Sequence, residues 1–578
     1  MDRIRMIALL LAAVILLSLF GSGCAVTPDE PDLTPAPTEG SPSEVPATAE
    51  PDGVPVRLKN GGELSFLPEE QLSIPKLSRM PYARPDAEKL IADIEALTAK
   101  VPGCGDADEL LNEYYDVAKD VHNFESMNEL AFFRFSMDTS DDYYSGEYDY
   151  CDERNAVVQE KKNALFAAFA ASPLRDALEK AYFGEGFFAD YDQFTAANDT
   201  FYDLKQREND LLFRYYELSG NTDLSSYKKI EQSHAPFAEL FIELVGIRGE
   251  IAAAKGFDNY MDYCYACDFK RDYTTAQTRE YLSQVKTLLA PLLTNHKITN
   301  EYSWYSDWNE SKAIEMLSSA AESMGGPIWE SFRFMSEYEL YDISYSSNKL
   351  NTGYTDYIHN YEAPVIFADP SGRDIVCTLF HEFGHYTDYY CSYGFSGNYE
   401  LAETYSQAMQ YLAFAYAEPF SDRSREMNLR ATLSDLLVYS ILRQAAFCDF
   451  EMRVYSLAPE ELTIDGIDAV YAQCTEDYGL SSLDQSWSKE KYWSAYSHFF
   501  TYPGYVISYS VSGISSLQIC RMEAEEPGSG VAAFRRLLDR TRGKKYLAVM
   551  EEAGLGSPFD EAVMEQTAAF LKKAFDME

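Results

Sequence analysis

The sequence predicts a mainly helical protein with one short sheet. Three observations carry this. From Pro85 onward, apolar residues recur at helical spacing, beginning with Leu90, Ile91, Ile94 and Leu97. No alternating series of strands and helices appears, which argues against a parallel α/β sheet. The best strand candidate is one isolated run, APVIFADPSG, with Val365, Ile366 and Phe367 between turn residues. At 578 residues the chain is long enough for two or more lobes. No fixed-period repeat is present.

The elements follow in order. Arg3 and Arg5 precede an almost wholly apolar run from Met6 to Phe20, then Gly21-Ser22-Gly23 and Cys24. This reads as a secretory signal over residues 1–23. A cysteine after small residues resembles a bacterial lipoprotein cleavage site, although Gly21 stands where an aliphatic residue is usual. A plain signal cut nearby is the other reading. Residues 25 to 56 carry eight prolines, and no aromatic residue occurs between Cys24 and Phe66. Residues 24–58 are therefore expected to be a lipid-anchored, extended tether. Anchor and tether would hold the globular part at the outer face of the bacterial cell membrane, or release it as a secreted protein. No later run of about 18 apolar residues exists, so no second span is expected.

Helical patterns then run over 107–135, 152–183, 198–220 and 237–257, where Gly256 suits a C-terminal stop. Further helices are expected at 275–290 and 310–335, and a short sheet near 335–370. Asp374 to Tyr390 reads as a helix with Gly394 beyond its end. NYELAETYSQAMQYLAFAYAE is the next helical pattern.

Composition bounds the function. Hydrophobic residues are 46% and charged residues 24%, ordinary for a globular protein. The net charge of −45 disfavours nucleic acid and anionic membrane surfaces as partners. Nine cysteines remain after Cys24, too dilute for a disulfide scaffold. Cys264 and Cys267 form a lone C-x-x-C, read as structural thiols or one local bridge.

The chemistry concentrates in CTLFHEFGHYTDYYCSYG, Cys377 to Gly394. It holds two of only seven histidines. His381 and His385 are one helical turn apart on one face and can converge on one ion. Glu382 beside them can reach a water at that ion, the H-E-x-x-H arrangement. By composition the motif arises by chance in roughly one such chain in a hundred, so it needs support. A catalytic zinc needs a third protein ligand. The other histidines are distant in sequence, which leaves Glu400 and Glu403 of the next helix as candidates.

LFHEFGHYTDYY followed by LAETYSQAMQ resembles the zinc peptidases of the oligoendopeptidase F and thimet oligopeptidase family. The resemblance implies a third ligand within E-x-x-S, matched by Glu403-Thr404-Tyr405-Ser406, and so selects Glu403. Two positions depart from the family pattern. Asp388 stands where a third histidine is frequent, and Gln410 where a glutamate is frequent. Upstream, LYDISYSSNKLNTGYTDYIHNYEAPVIFADPSGRDI looks like the family's lead-in to the zinc helix. The resemblance implies that the strand Val365, Ile366, Phe367 and Ala368 is an edge that pairs with the substrate backbone. Downstream, YSHFFTYPGYVISYSVSGISSLQI resembles the family's segment of one histidine and following tyrosines. It implies Tyr509 as an oxyanion donor, with His498 as a second donor and Tyr505 beside them.

The implied fold is mainly α. Two helical lobes, 59–285 and a catalytic lobe 286–578, would flank a deep channel, with a small antiparallel sheet beside the zinc helix. The implied activity is zinc-dependent hydrolysis of internal bonds in short peptides, with Glu382 as general base and one Zn²⁺ held by His381, His385 and Glu403. The expected partners are short peptides and, through the N-terminal anchor alone, the membrane; the expected state is monomeric. Two competing readings are a lipid-anchored peptide-binding protein and an inactive relative of the peptidases.

Overall fold

The computed structural model describes residues 74–184, 186–191, 199–295, 298, 309–370, 375–395, 397–418, 422–538 and 545–577. The expected signal, Cys24 and the tether lie outside them. No helix among the described residues is long and apolar enough to cross a membrane.

The fold is mainly helical. Three helices open it: α1 (Ala87–Lys100), α2 (Ala107–Met137) and α3 (Asp142–Ala171). Each starts at an aspartate, Asp86, Asp106 or Asp141, whose side chain accepts a backbone N–H of the first turn. Together with a short following segment they enclose a core of their own, built on Leu90, Ile94, Leu110, Phe124, Val158, Leu165 and Phe169. The C-terminal half of α2 leaves that core. Its Leu130, Phe132, Phe133 and Phe135 join the larger core shared by the rest of the chain. α2 thus ties the N-terminal helices to the sheet.

Next come Asp199–Gly220 and α4 (Tyr227–Ala254). The expected start at 237 is ten residues late, because Pro236 sits inside α4. Proline in a helix interior costs about 3 kcal/mol. Burial of His234, Phe237, Ala238, Leu240 and Phe241 around it offsets that cost. Gly256, at φ 81°, ends the helix as expected. The expected helix over 310–335 is two helices, α5 (Glu310–Met324) and α6 (Gly326–Glu337). They break at Gly325 and Gly326, both at positive φ.

The sheet has three strands, β1 (Tyr341–Asp342), β2 (Gly353–Ile358) and β3 (Ala363–Ala368), in the order β1-β3-β2. β2 pairs antiparallel with β3, with Thr355 opposite Ile366 and Asp356 opposite Val365. β1 pairs parallel with β3 at Ile366 and Phe367. The sheet is therefore mixed, a correction to the expected antiparallel one. The expected substrate edge is also corrected. Val365, Ile366, Phe367 and Ala368 lie in the central strand, flanked on both sides, and every residue of β3 is buried. A short unbroken apolar run is what a doubly covered strand requires. β1 and β2 each have one side unpaired in this sheet, and β2 is the longer of these two edges.

The remaining helices that matter here are α7 (Ile375–Ser392), α8 (Tyr399–Tyr416) and α9 (Ile507–Glu525). α8 packs on α7 and on α9, and Glu400 to Phe414 are all buried. α7 in turn covers β2 and β3. This stack of sheet, α7, α8 and α9 positions the site.

Candidate metal centre and active site

α7 carries His381, Glu382 and His385, and α8 carries Glu403. Two glycines let their supports meet closely. A Cβ on Gly384 would stand 2.5 Å from Ser406 Cα and 2.5 Å from Tyr405 O, both backbone atoms of α8. A Cβ on Gly353 of β2 would stand 2.5 Å from Thr378 of α7. The glycine within HEFGH therefore lets α8 cross directly over the histidine pair and bring Glu403 to it.

One ligand atom from each of His381, His385 and Glu403 lies within 4.8 Å of the others. His381 Nε2 stands 3.8 Å from Glu403 Oε2, and the imidazole rings are 5.0 Å apart at 77°. Burial holds His381 down to about 4, and burial together with His381 holds His385 well below the usual histidine range. Both rings are thus neutral, as a metal ligand must be. His381 Nε2 is buried and has no hydrogen-bond partner among the described residues. Burial pushes Glu403 up to about 8, against the pull of Ser406 and Tyr505. These are the marks of a polar cluster built around a cation. Two neutral imidazoles and a carboxylate are a zinc-type donor set.

Glu382 is fully buried beside this cluster. Thr355 Oγ1 of β2 donates to its Oε2 at 2.8 Å, whereas Oε1 has no partner among the described residues. Burial, and then Glu403, raise its carboxyl well above the usual range. One oxygen is fixed and the other is available.

Glu400, the other carboxylate open from sequence, belongs to a different network. Its Oε1 accepts from Arg271 Nε at 2.8 Å, Tyr273 Oη at 2.6 Å and Ser508 Oγ at 3.0 Å. Arg271 also donates to Gly504 O and Ser508 Oγ, each at 2.8 Å. This buried ion pair clamps the turn that carries Tyr505 and the start of α9. Tyr509 lies in the first turn of α9, its ring 5.1 Å from that of Tyr505 and 6.4 Å from that of His498. His498 stacks on Tyr496 at 4.9 Å, and burial, helped by Arg443, pushes it down to about 3. His498 Nδ1 is buried without a partner among the described residues, and the buried Tyr509 hydroxyl lies beside that of Tyr505.

The profile of the peptidase M3 N-terminal domain matches residues 77–195, and that of peptidase family M3 matches residues 328–569. The chain belongs to peptidase family M3. It is a metallo-endopeptidase of that family, whose members are zinc enzymes. No curated protein sequence matches it. Among solved structures it is similar to Pz peptidase A with an inhibitor, at 22% identity over 87% of this chain and 99% of that one, with a TM-score of 0.72. It is similar to a chain assigned as oligoendopeptidase F from Bacillus anthracis, at 22% identity over 87% and 98%, with a TM-score of 0.67. It is also similar to oligoendopeptidase F from Enterococcus faecium, at 14% identity over 85% and 96%, with a TM-score of 0.54. At these identities the likeness is one of fold.

Both departures from the M3 pattern are buried beside the site. Gln410 Nε2 donates to Cys377 Sγ at 2.9 Å, and the Gln410 side chain also bonds His381. Gln410 therefore orients His381 with a neutral amide. Asp388 Oδ1 accepts from Ser392 Oγ at 3.0 Å. Sequence reading missed Thr355, Arg271 and the Cys377–Gln410 contact. Thr355 lies 27 residues from Glu382, Arg271 lies 129 from Glu400, and Cys377 lies 33 from Gln410. Cys377, four before His381 on the same face, was the one with a visible signal. No disulfide forms among the nine described cysteines, and Cys264 Sγ donates to Pro503 O at 3.0 Å.

Proposed function

We propose that this protein is an extracytoplasmic zinc-dependent oligoendopeptidase that cleaves internal bonds of short peptides, acting as a monomer tethered through lipidated Cys24. The observation that carries the chemistry is the convergence of His381, His385 and Glu403 beside a Glu382 with one oxygen available. In this reading those three residues hold one Zn²⁺. Bound there, zinc supplies Lewis acidity to water and to the scissile carbonyl.

The chain's own residues do the rest. Glu382 accepts the proton of the attacking water on Oε1 and passes it to the leaving amine nitrogen. Thr355 keeps the carboxylate aimed by holding Oε2. Tyr509 Oη and His498 donate to the carbonyl oxygen as negative charge builds on it. Tyr505 acts on Glu403 and supports that ligand. The Arg271–Glu400 pair positions Tyr505 and Tyr509 without touching substrate. An extended peptide would lie along β2, the six-residue edge strand that packs against α7.

The N-terminal sequence supports the location, and the net charge of −45 disfavours nucleic acid as a partner. The test is digestion of a mixed peptide library with and without a chelator. The reading predicts internal cleavage of short peptides, abolished by chelator and restored by zinc. Chelator-resistant cleavage would defeat it.

A further inference from the structure

A second cluster of metal-ligating side chains lies away from the candidate metal centre. His122 and Glu125 stand three apart on one face of α2, and His359 stands in the turn between β2 and β3. One ligand atom from each lies within 4.8 Å of the others. The two imidazole rings stack, 4.9 Å apart with planes 19° from parallel. His359 Nε2 is 3.8 Å from Glu125 Oε2, the same separation as between His381 Nε2 and Glu403 Oε2. Neighbouring donors around a tetrahedral zinc, with bonds of about 2.1 Å, sit about 3.4 Å apart. Closing the cluster on an ion therefore takes shifts of a few tenths of an ångström at that pair.

The surroundings hold the donors in place. Asn360 N donates to Ser126 Oγ at 2.8 Å, and Asn360 Nδ2 to Asn123 Oδ1 at 3.0 Å. The turn is thus docked on α2 without help from an ion. Glu125 Oε1 accepts from Lys162 Nζ of α3 at 2.7 Å, so Oε2 is the oxygen turned to the histidines. One turn further along α2, Glu129 shares a hydrogen bond with Asp356 of β2. That carboxyl pair adds negative potential at the same α2–β2 interface. Lys162 opposes it. The side chains of His359 and Glu125 are 34% and 20% exposed, so an ion can reach them from solvent.

We propose that His122, Glu125 and His359 form a second divalent-metal site, of the zinc class, that fastens α2 to the β2–β3 turn. Imidazole and a single carboxylate select zinc and its neighbours over calcium or magnesium, which take oxygen donors. Three protein donors leave one position for water. Because α2 spans both cores and β2 adjoins Glu382, the ion would brace the N-terminal helices against the wall of the active site.

The test uses the untagged full chain, stripped of metal and then equilibrated with Zn²⁺ at about tenfold excess. Wild type should bind two equivalents, His359→Gln one, His381→Gln one and the double variant none. Equal unfolding temperatures of metal-free wild type and His359→Gln would show that the variant folds. Lys162→Met keeps every ligand and removes the opposing charge, so it should tighten the second equivalent roughly tenfold. If His359→Gln does not fold, His381→Gln and Lys162→Met decide. A His381→Gln protein that binds no zinc, a folded His359→Gln protein that still binds two, or a Lys162→Met protein with unchanged affinity would each overturn the proposal.

Discussion

Replacing Gly384 with alanine tests how the two ligand-bearing helices meet. The added Cβ would stand 2.5 Å from two backbone atoms of α8, where ordinary contact begins at 3.4 Å. Backbone cannot rotate out of the way as a side chain can. α8 must therefore move off α7 by about 0.9 Å at the crossing. Metal–ligand distances tolerate about 0.2 Å. Glu403 begins 3.8 Å from His381 Nε2, and a shift of that size on the wrong side takes it out of coordinating range. The expected result is a loss of zinc affinity of about 100-fold, with roughly 2–3 kcal/mol of destabilisation from overpacking. Competition with a chelator of known affinity measures the first, and denaturant unfolding of the metal-free protein the second. If Gly384→Ala bound zinc as tightly as wild type, the close crossing would not be what delivers Glu403.

Three further perturbations probe the surroundings. Gln410→Glu puts a carboxylate behind His381 and should tighten zinc roughly tenfold by the same chelator competition; weaker binding would mean that the Cys377 contact matters more. Thr355→Val removes the donor to Glu382 Oε2 and should lower kcat about tenfold at unchanged zinc content. Glu451 is buried, accepts from Gly504 N at 2.9 Å, and is pushed up to about 8 by burial. A carboxyl whose folded value is raised stays protonated in the native state, so its contribution is complete below about pH 4.5 and is lost as pH climbs towards 8. Glu451→Gln should abolish that decline and gain about 4 kcal/mol at pH 8, read from unfolding curves across pH.

Much of the site was legible because its residues are close in sequence. His381, Glu382 and His385 declare themselves by one helical turn, and Glu403 by the length of a turn and a returning helix. The choice between Glu400 and Glu403 was not available from spacing. It depends on Arg271, 129 residues before Glu400, which occupies the wrong carboxylate. The sheet misled for a related reason. An apolar run such as Val365 to Ala368 shows burial, but not whether one or two strands flank it. β1 is only two residues long and leaves almost no trace in the sequence. The helical pattern over 237–257 missed the first ten residues of α4, where Pro236 sits inside the helix and its local penalty hides the continuation. His122 and His359, 237 positions apart, met through the α2–β2 interface, which no periodicity encodes.

In the proposed function, Glu382 moves the proton at a zinc held by His381, His385 and Glu403. The most direct test is Glu382→Gln, with bound zinc and the cleavage rate of a short peptide measured on the same preparation. The account predicts zinc content equal to wild type and a rate lower by at least a thousandfold, within the range expected for loss of a general base. Cleavage near the wild-type rate with zinc in place would contradict it.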